Sequence, residues 1–277
     1  MLIFTNFDIK RYYNALKYDL ILNGKKYVLF IAGLFVLLLI VDLIFIMDSY
    51  NEMGLYNGLI PEYKKQYNPN RYNKMFFITY MICALFAIGT AFPYLRNRKN
   101  ASHYLMLPIS VLEKFLIEFS IRIFGFSIIF IVLFWLGFKV AEIIFNMIDL
   151  SMPFEIRNFN LFHPFTYIAK SSDKVFVTLS LLSYATFLFA GASHFQKNAF
   201  FKTVLSLGLL SLLAYMFSLV LSYIFIPNEV SGFEVKILSR KLDSGMLNIQ
   251  LYFYIIGVFS SLFLLPYAYF KLKEKEI

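Results

Sequence analysis

Hydrophobic positions along the chain gather into six long runs, at roughly 27–47, 75–95, 116–138, 174–193, 200–226 and 250–270, with polar segments of unequal length between them. A run of about 20 apolar residues wound as a helix crosses the roughly 30 Å hydrocarbon core of a bilayer. The pattern predicts an all-α integral membrane protein with six transmembrane helices, and no internal repeat or linker divides residues 1–277 into more than one membrane domain. Ahead of the first run, Ile9, Tyr13, Leu16 and Leu20 recur at helical spacing against Lys10, Arg11, Asn14 and Lys17. This predicts an N-terminal amphipathic elbow helix over 7–22, lying on the inner leaflet within a cytoplasmic region 1–26. Asn6 would cap it, Asp8 would suit its first turn, and Asn23-Gly24 would stop it. A second interfacial helix is predicted over 139–150, where Val140, Ile143, Ile144, Met147 and Ile148 oppose Glu142, Asn146 and Asp149.

The most punctuated stretch is RNRKNASHYLMLPISVLEKFLIEFSIR, residues 96–122. Arg98 and Lys99 lead into Ser102–Leu107, one or two predicted helical turns on which Tyr104, Leu105 and Leu107 offer apolar surface and His103 is a loop residue. Pro108 ends that piece, because proline removes a backbone donor and disfavours helix in the residue before it. Ser110-Val-Leu-Glu113 then matches a capping box, in which the serine hydroxyl and the glutamate carboxylate each satisfy an orphan backbone N–H. The new helix carries Glu113, Lys114, Glu118 and Arg122 before it turns apolar, and Glu118 with Arg122 is an i, i+4 pair in the favourable order.

Composition agrees with the pattern: 60% hydrophobic and 20% aromatic residues in 277 positions exceed what a soluble core needs. Lys and Arg concentrate in 1–26, 96–115, 194–202 and the tail, which predicts those segments inside, with both termini cytoplasmic. The segments 48–74, 139–173 and 227–249 balance their charges and are expected outside. The net charge of +9 follows from this asymmetry and does not argue for nucleic acid. The first run is too long for a signal-peptide core and has no small-residue cleavage site behind it, so it is expected to stay as a span.

Candidate chemistry is sparse. The lone Cys83 lies in a span, and His103, His163 and His194 pair with no second ligand at helical spacing, so no metal site is expected. His194 is expected at a span end and His163 in an outer turn. No H-E-x-x-H, G-x-S-x-G or phosphate-binding G-x-x-x-x-G-K-[ST] occurs, so neither a catalytic residue nor an ATPase site is expected in this chain. Asp42 is the polar candidate within the spans, expected to line a dimer or translocation interface, because an ionisable group in hydrocarbon normally faces protein or water. Pro93 and Pro266 are candidate kinks, and the small residues Ala87, Gly89, Ala91 and Ala190-Gly191-Ala192 permit close helix approach.

RKNASHYLMLPISVLEKFL resembles the loop after the second span in permease subunits of the ATP-binding-cassette exporters of the second type. Residues 105–115, LMLPISVLEKF, are similar to one branch that reads Leu-Pro-small-x-x-Glu-Lys. The resemblance implies one permease domain, with an elbow helix, six spans and a cytoplasmic coupling helix between spans two and three. It implies an interface to a separate cassette ATPase formed by Arg98, Lys99, Ser102, His103, Tyr104, Leu105, Leu107, Glu113 and Lys114, with Ser110 and Glu113 as the helix cap. ATP and Mg would belong to that partner, with no cofactor in this chain. A second permease copy or paralogue, the lipid bilayer and the bacterial cytoplasmic (inner) membrane complete the expectation. The 227–249 segment departs from the family, being too polar for a re-entrant hairpin. The alternative is a non-transporting anchor or sensor subunit, and an integral membrane enzyme is the least supported reading.

Overall fold

A computed structural model describes residues 7–55, 67–96, 108–148, 156, 158–166, 171–195, 198–225, 230–231, 234–235 and 248–275. Helix α1 runs Ile9–Leu55 without a break. At 1.5 Å per residue its 47 residues extend about 70 Å, more than twice the hydrocarbon thickness. Asp8 caps it: the Lys10 N–H donates to the Asp8 carboxylate at 2.8 Å, and the Tyr12 N–H donates to the Asp8 carbonyl at 2.9 Å.

The separate elbow is overturned, and the reason lies at Asn23-Gly24. Asn23 donates its amide to Asp19 at 2.8 Å and accepts from Lys26 at 3.3 Å, while the Tyr27 hydroxyl donates to Asp19 at 2.6 Å. Asn23 thus spends its side chain on neighbours one turn away instead of closing the helix, and Gly24 costs only about 1 kcal/mol as a helix residue. The expected apolar face is also not the inward one. Ile9, Tyr13 and Leu20 are exposed, whereas Arg11, Tyr12, Ala15, Asp19 and Asn23 form the half-buried to buried stripe.

Helix α2, Pro69–Gly89, begins with proline at its first position under an Asn68 cap, whose carboxamide accepts from the Asn70 N–H at 2.9 Å. It starts and ends earlier than predicted. Phe92 then adopts φ 55, and Pro93 opens a 3-10 turn, Pro93–Arg96, so Pro93 follows the helix and does not kink it. Helix α3, Val111–Phe119, passes through one π-helical turn, Ser120–Gly125, into α4, Phe126–Asn146. The predicted interfacial helix at 139–150 is therefore the upper part of α4 as far as Asn146. The four-residue α5, His163–Thr166, is followed by α6, Ser171–His194, and α7, Ala199–Phe225. Val230–Ser231 and Glu234–Val235 pair as a minimal antiparallel hairpin, and α8, Asn248–Glu274, carries Pro266 inside it.

Among the described residues, five helical stretches are long and apolar enough to cross a membrane: Ile9–Glu52, Pro69–Gly89, Val111–Asn146, Val177–His194 and Ala199–Phe217. The sixth predicted span, 250–270, is helical as part of α8.

Backbone contacts divide the chain into two compact units. Unit one takes in the described residues of Met1–Ala84 and Pro108–Ala169. Its core is built from ridges spaced about one turn apart: Leu34, Leu38, Asp42 and Ile46 on α1, Tyr72, Phe76, Tyr80 and Ala84 on α2, and Phe126, Phe130, Phe134, Phe138, Ala141 and Phe145 on α4. Ring centroids approach to 4.8 Å for Tyr72 with Phe138, 5.1 Å for Phe76 with Phe134 and 5.2 Å for Tyr80 with Phe130. These are contact distances for edge-to-face and tilted pairs.

Unit two takes in the described residues of Leu85–Leu107 and Lys170–Ile277. Small polar residues line its main seam, between α6 and α8. The Ser183 and Ser260 hydroxyls lie 2.5 Å apart, Thr186 and Ser261 lie 3.5 Å apart, and a Cβ on Gly257 would meet Leu179 at 3.5 Å. Between α6 and α7, Gly191 lies so close beneath Thr203 that a Cβ there would collide with it.

Candidate functional site

The capping box at the start of α3 is present, and it reaches further than its own helix. The Glu113 N–H donates to the Ser110 hydroxyl at 3.2 Å, and the Ser110 N–H donates to Glu113 Oε2 at 2.7 Å. The other carboxylate oxygen, Oε1, accepts from the Asp8 N–H at 2.9 Å and from Arg11 Nη2 at 3.1 Å. One buried carboxylate therefore closes the first turn of α3 and holds the first turn of α1. A turn further along, the Tyr12 and Ser120 hydroxyls lie 2.8 Å apart, where α3 gives way to the π turn. Arg122, within that turn, bonds back to Glu118 at 3.4 Å, as the i, i+4 spacing predicts.

The bonds to Glu113 are charge-assisted, with the carboxylate buried and Arg11 partly exposed, and such bonds are stronger than neutral ones. Lys114 is buried at 1% exposure. Glu113 is likewise inside unit one. The remaining residues expected at a partner interface, Arg98, Lys99, Ser102, His103, Tyr104, Leu105 and Leu107, lie outside the described residues. Asp8, Arg11, Tyr12 and Ser120 carry no sequence signal for this role. The capping box announces Glu113, but the helix that takes up its second oxygen begins more than a hundred residues earlier.

The second site surrounds Asp42. Its side chain is 0% exposed, and neither carboxylate oxygen has a hydrogen-bond partner among the described residues. It faces α4 at Gly137, where a Cβ would come within 3.0 Å of Oδ2, so the absence of a side chain there is what admits the carboxylate. Within the chain Asp42 takes a core position in unit one, between Leu38 and Ile46 on the buried ridge of α1.

Two phenols pack on Phe138, the residue after Gly137 on α4. Tyr67 and Tyr72 are fully buried, and their hydroxyls have no partner among the described residues. Burial first, and Asp42 second, push the Tyr67 phenol up from its ordinary value. Phe159 stacks on Tyr72 at 4.3 Å and is pinned by Trp135, whose indole N–H donates to the Phe159 carbonyl at 2.9 Å. His163 lies against Phe159 and Tyr72, with ring centroids at 4.7 and 5.7 Å. In unit two, His194 ends α6 and its Nδ1 lies 2.5 Å from the Tyr267 hydroxyl. No group of three or more His, Cys, Asp or Glu side chains able to hold a metal ion occurs among the described residues.

No protein-family model, curated protein or solved structure matches the chain.

Proposed function

We propose that the chain is the membrane-spanning subunit of an ATP-driven exporter, moving its substrate by alternating access and driven by a separate cassette ATPase that holds ATP and Mg. The observation that carries this reading is the Glu113 joint, which stands directly after the 96–107 segment and ties the start of α3 to the start of α1. A displacement delivered to that segment would then reach two candidate spans at once, which a passive hairpin has no need to arrange. The π turn at Ser120–Gly125 favours the same reading, since a single π turn inside a long helix frequently marks a functional site.

In this reading Tyr104 and Leu105 are the apolar anchors on the ATPase, Arg98 and Lys99 steer the encounter, and a second permease copy or paralogue completes the complex in a bacterial cytoplasmic membrane with both termini inside. Affinity purification of the tagged full chain from its native membrane tests it. A stoichiometric cassette ATPase should come with the wild-type chain, and Tyr104→Ala with Leu105→Ala should release it while the chain stays inserted. Truncating a buried anchor costs about 2 kcal/mol or more, whereas Lys99→Ala, at a rim, costs about 0–1 kcal/mol. A chain that purifies with no ATPase would instead be an anchor or sensor subunit.

A further inference from the structure

Between α3 and α4 the backbone ladder loosens in the turn Ser120–Gly125, where bonds run five residues back, as from the Phe126 N–H to the Ile121 carbonyl, and the turn ends on a glycine. Just past it the Ser127 hydroxyl donates to the Ile123 carbonyl at 2.7 Å, a back-bond of the kind that bends helices. On α1, Gly24 and Gly33 stand in the helix interior, and a Cβ on either would meet nothing within 4 Å outside its own helix, so neither glycine is there to admit a neighbour. A π turn is an established cause of helix bending, and glycine is the weakest helix former after proline.

These weak places lie between the same two anchorages on both helices. On their N-terminal side, Asp8, Arg11 and Tyr12 of α1 are bonded to Glu113 and Ser120. On their C-terminal side, Leu34, Leu38 and Ile46 of α1 and Phe130, Phe134 and Phe138 of α4 are buried in the ring-packed core, and the Tyr80 hydroxyl of α2 lies 2.9 Å from that of Ser127. A loose segment between a bonded end and a packed end has the form of a hinge. A hinge in only one of two bonded helices would be held straight by the other, whereas here both members of the pair carry one. Across Gly24, Asn23 and Tyr27 both donate to Asp19, which keeps α1 continuous where its backbone is weakest. We infer that Gly24 and Gly33 of α1 and the turn Ser120–Gly125 form a paired hinge, on which the bonded starts of α1 and α3 swing as one body against the ring-packed core of unit one. The hinge belongs to unit one alone and does not depend on which protein drives the chain.

Spin labels on Leu112 of α3 and Leu136 of α4, both exposed, read the bend across the turn by a pulsed dipolar measurement on the purified full chain in detergent, and Ile128 with Ile144 gives a reference pair within α4. The Leu112–Leu136 distribution should be the broader of the two. It should narrow when Gly24→Ala, Gly33→Ala and Gly125→Ala are combined, and alanine fits at all three positions, since even at Gly125 the nearest atom to a new Cβ is the Ser120 carbonyl oxygen at 3.4 Å. Backbone amides at 121–126 should exchange with deuterium faster than those at 128–145, and should slow about fivefold in the alanine variant, the factor set by the difference in helix propensity. Should the triple variant fail to fold, Gly125→Ala alone carries the test. A Leu112–Leu136 distribution as narrow as the reference, or exchange at 121–126 that matches 128–145 or is unmoved by alanine, overturns the hinge.

Discussion

Unit one is held by rings and unit two by small hydroxyls. In unit one, Phe130, Phe134 and Phe138 of α4 face Tyr72, Phe76 and Tyr80 of α2 at centroid distances near 5 Å, so each contact is a large, shape-specific surface. In unit two, Ser183, Thr186, Ser260 and Ser261 meet across α6 and α8 over Gly257, and close backbone approach replaces side-chain bulk. Between membrane helices apolar burial supplies little drive, because lipid tails are as apolar as leucine, so packing and hydrogen bonding decide. The two units weight those two means differently: unit two adds single ring pairs such as Phe92 with Phe189, and unit one adds the Glu113 hydrogen bonds. Unit one should therefore be intolerant of lost volume and unit two of added volume.

Removing a ring should have the largest effect. Phe134→Ala leaves a void between Tyr72 and Phe76, and a buried Phe→Ala change costs about 3–5 kcal/mol. Unfolding in detergent should show that loss in the midpoint, and a loss below that of an exposed-face control such as Phe217→Ala would break the comparison. Adding one methyl in unit two should come next. Thr203 bonds back to the Ala199 carbonyl at 2.7 Å and is fully buried, so it cannot yield to a Cβ at Gly191. Gly191→Ala should cost about 1–3 kcal/mol through overpacking, and Thr203→Ala should recover most of it in the double variant. No recovery would mean that α6 and α7 do not meet at this point.

Single hydroxyls should matter less. Ser183→Ala and Ser260→Ala should couple by only about 0.6 kcal/mol in a double-mutant cycle, the scale found for hydrogen bonds between membrane helices. A coupling several times larger would place the seam's strength in that pair and not in backbone approach. The smallest effect concerns His163, whose imidazole burial holds below its ordinary range. The unfolded chain then takes up a proton at His163 more readily than the folded one. Its contribution is present above about pH 6.5 and is lost as the pH falls below that value. Melting between about pH 8 and about pH 5 should fall less steeply in His163→Gln than in the wild type. Equal slopes would remove His163 from the account.

Features encoded over one or two turns were legible in the sequence. Ser110-Val-Leu-Glu113 states its capping box outright, and the hydropathy runs place the helices because a span is defined by its own composition. Asn23-Gly24 misled because the same two residues serve a helix stop or a helix interior, and the choice fell to Asp19, Lys26 and Tyr27 a turn to either side. The C-terminal boundary of α4 misled because an amphipathic stretch, 139–146, prolongs a span as readily as it lies on a surface. Asp42 was legible as a costly residue, but its setting was not, since Gly137 comes from a distant part of the chain. The start of the inward polar stripe of α1 was hidden for the same reason, because Arg11 and Tyr12 meet Glu113 and Ser120 from more than a hundred residues away.

The claim on which the functional reading turns is that Glu113 makes the starts of α1 and α3 move as one body. Tyr13 and Leu112 are exposed on those two helices and accept spin labels in place of their side chains, so a pulsed dipolar measurement reads the separation directly. In the wild type the distance distribution should be narrow and should not change when ATP is supplied to the assembled complex. Glu113→Ala removes the acceptor for Asp8, Arg11 and Ser110 together and should broaden the distribution into more than one population. An unchanged, narrow distribution in Glu113→Ala would contradict the account.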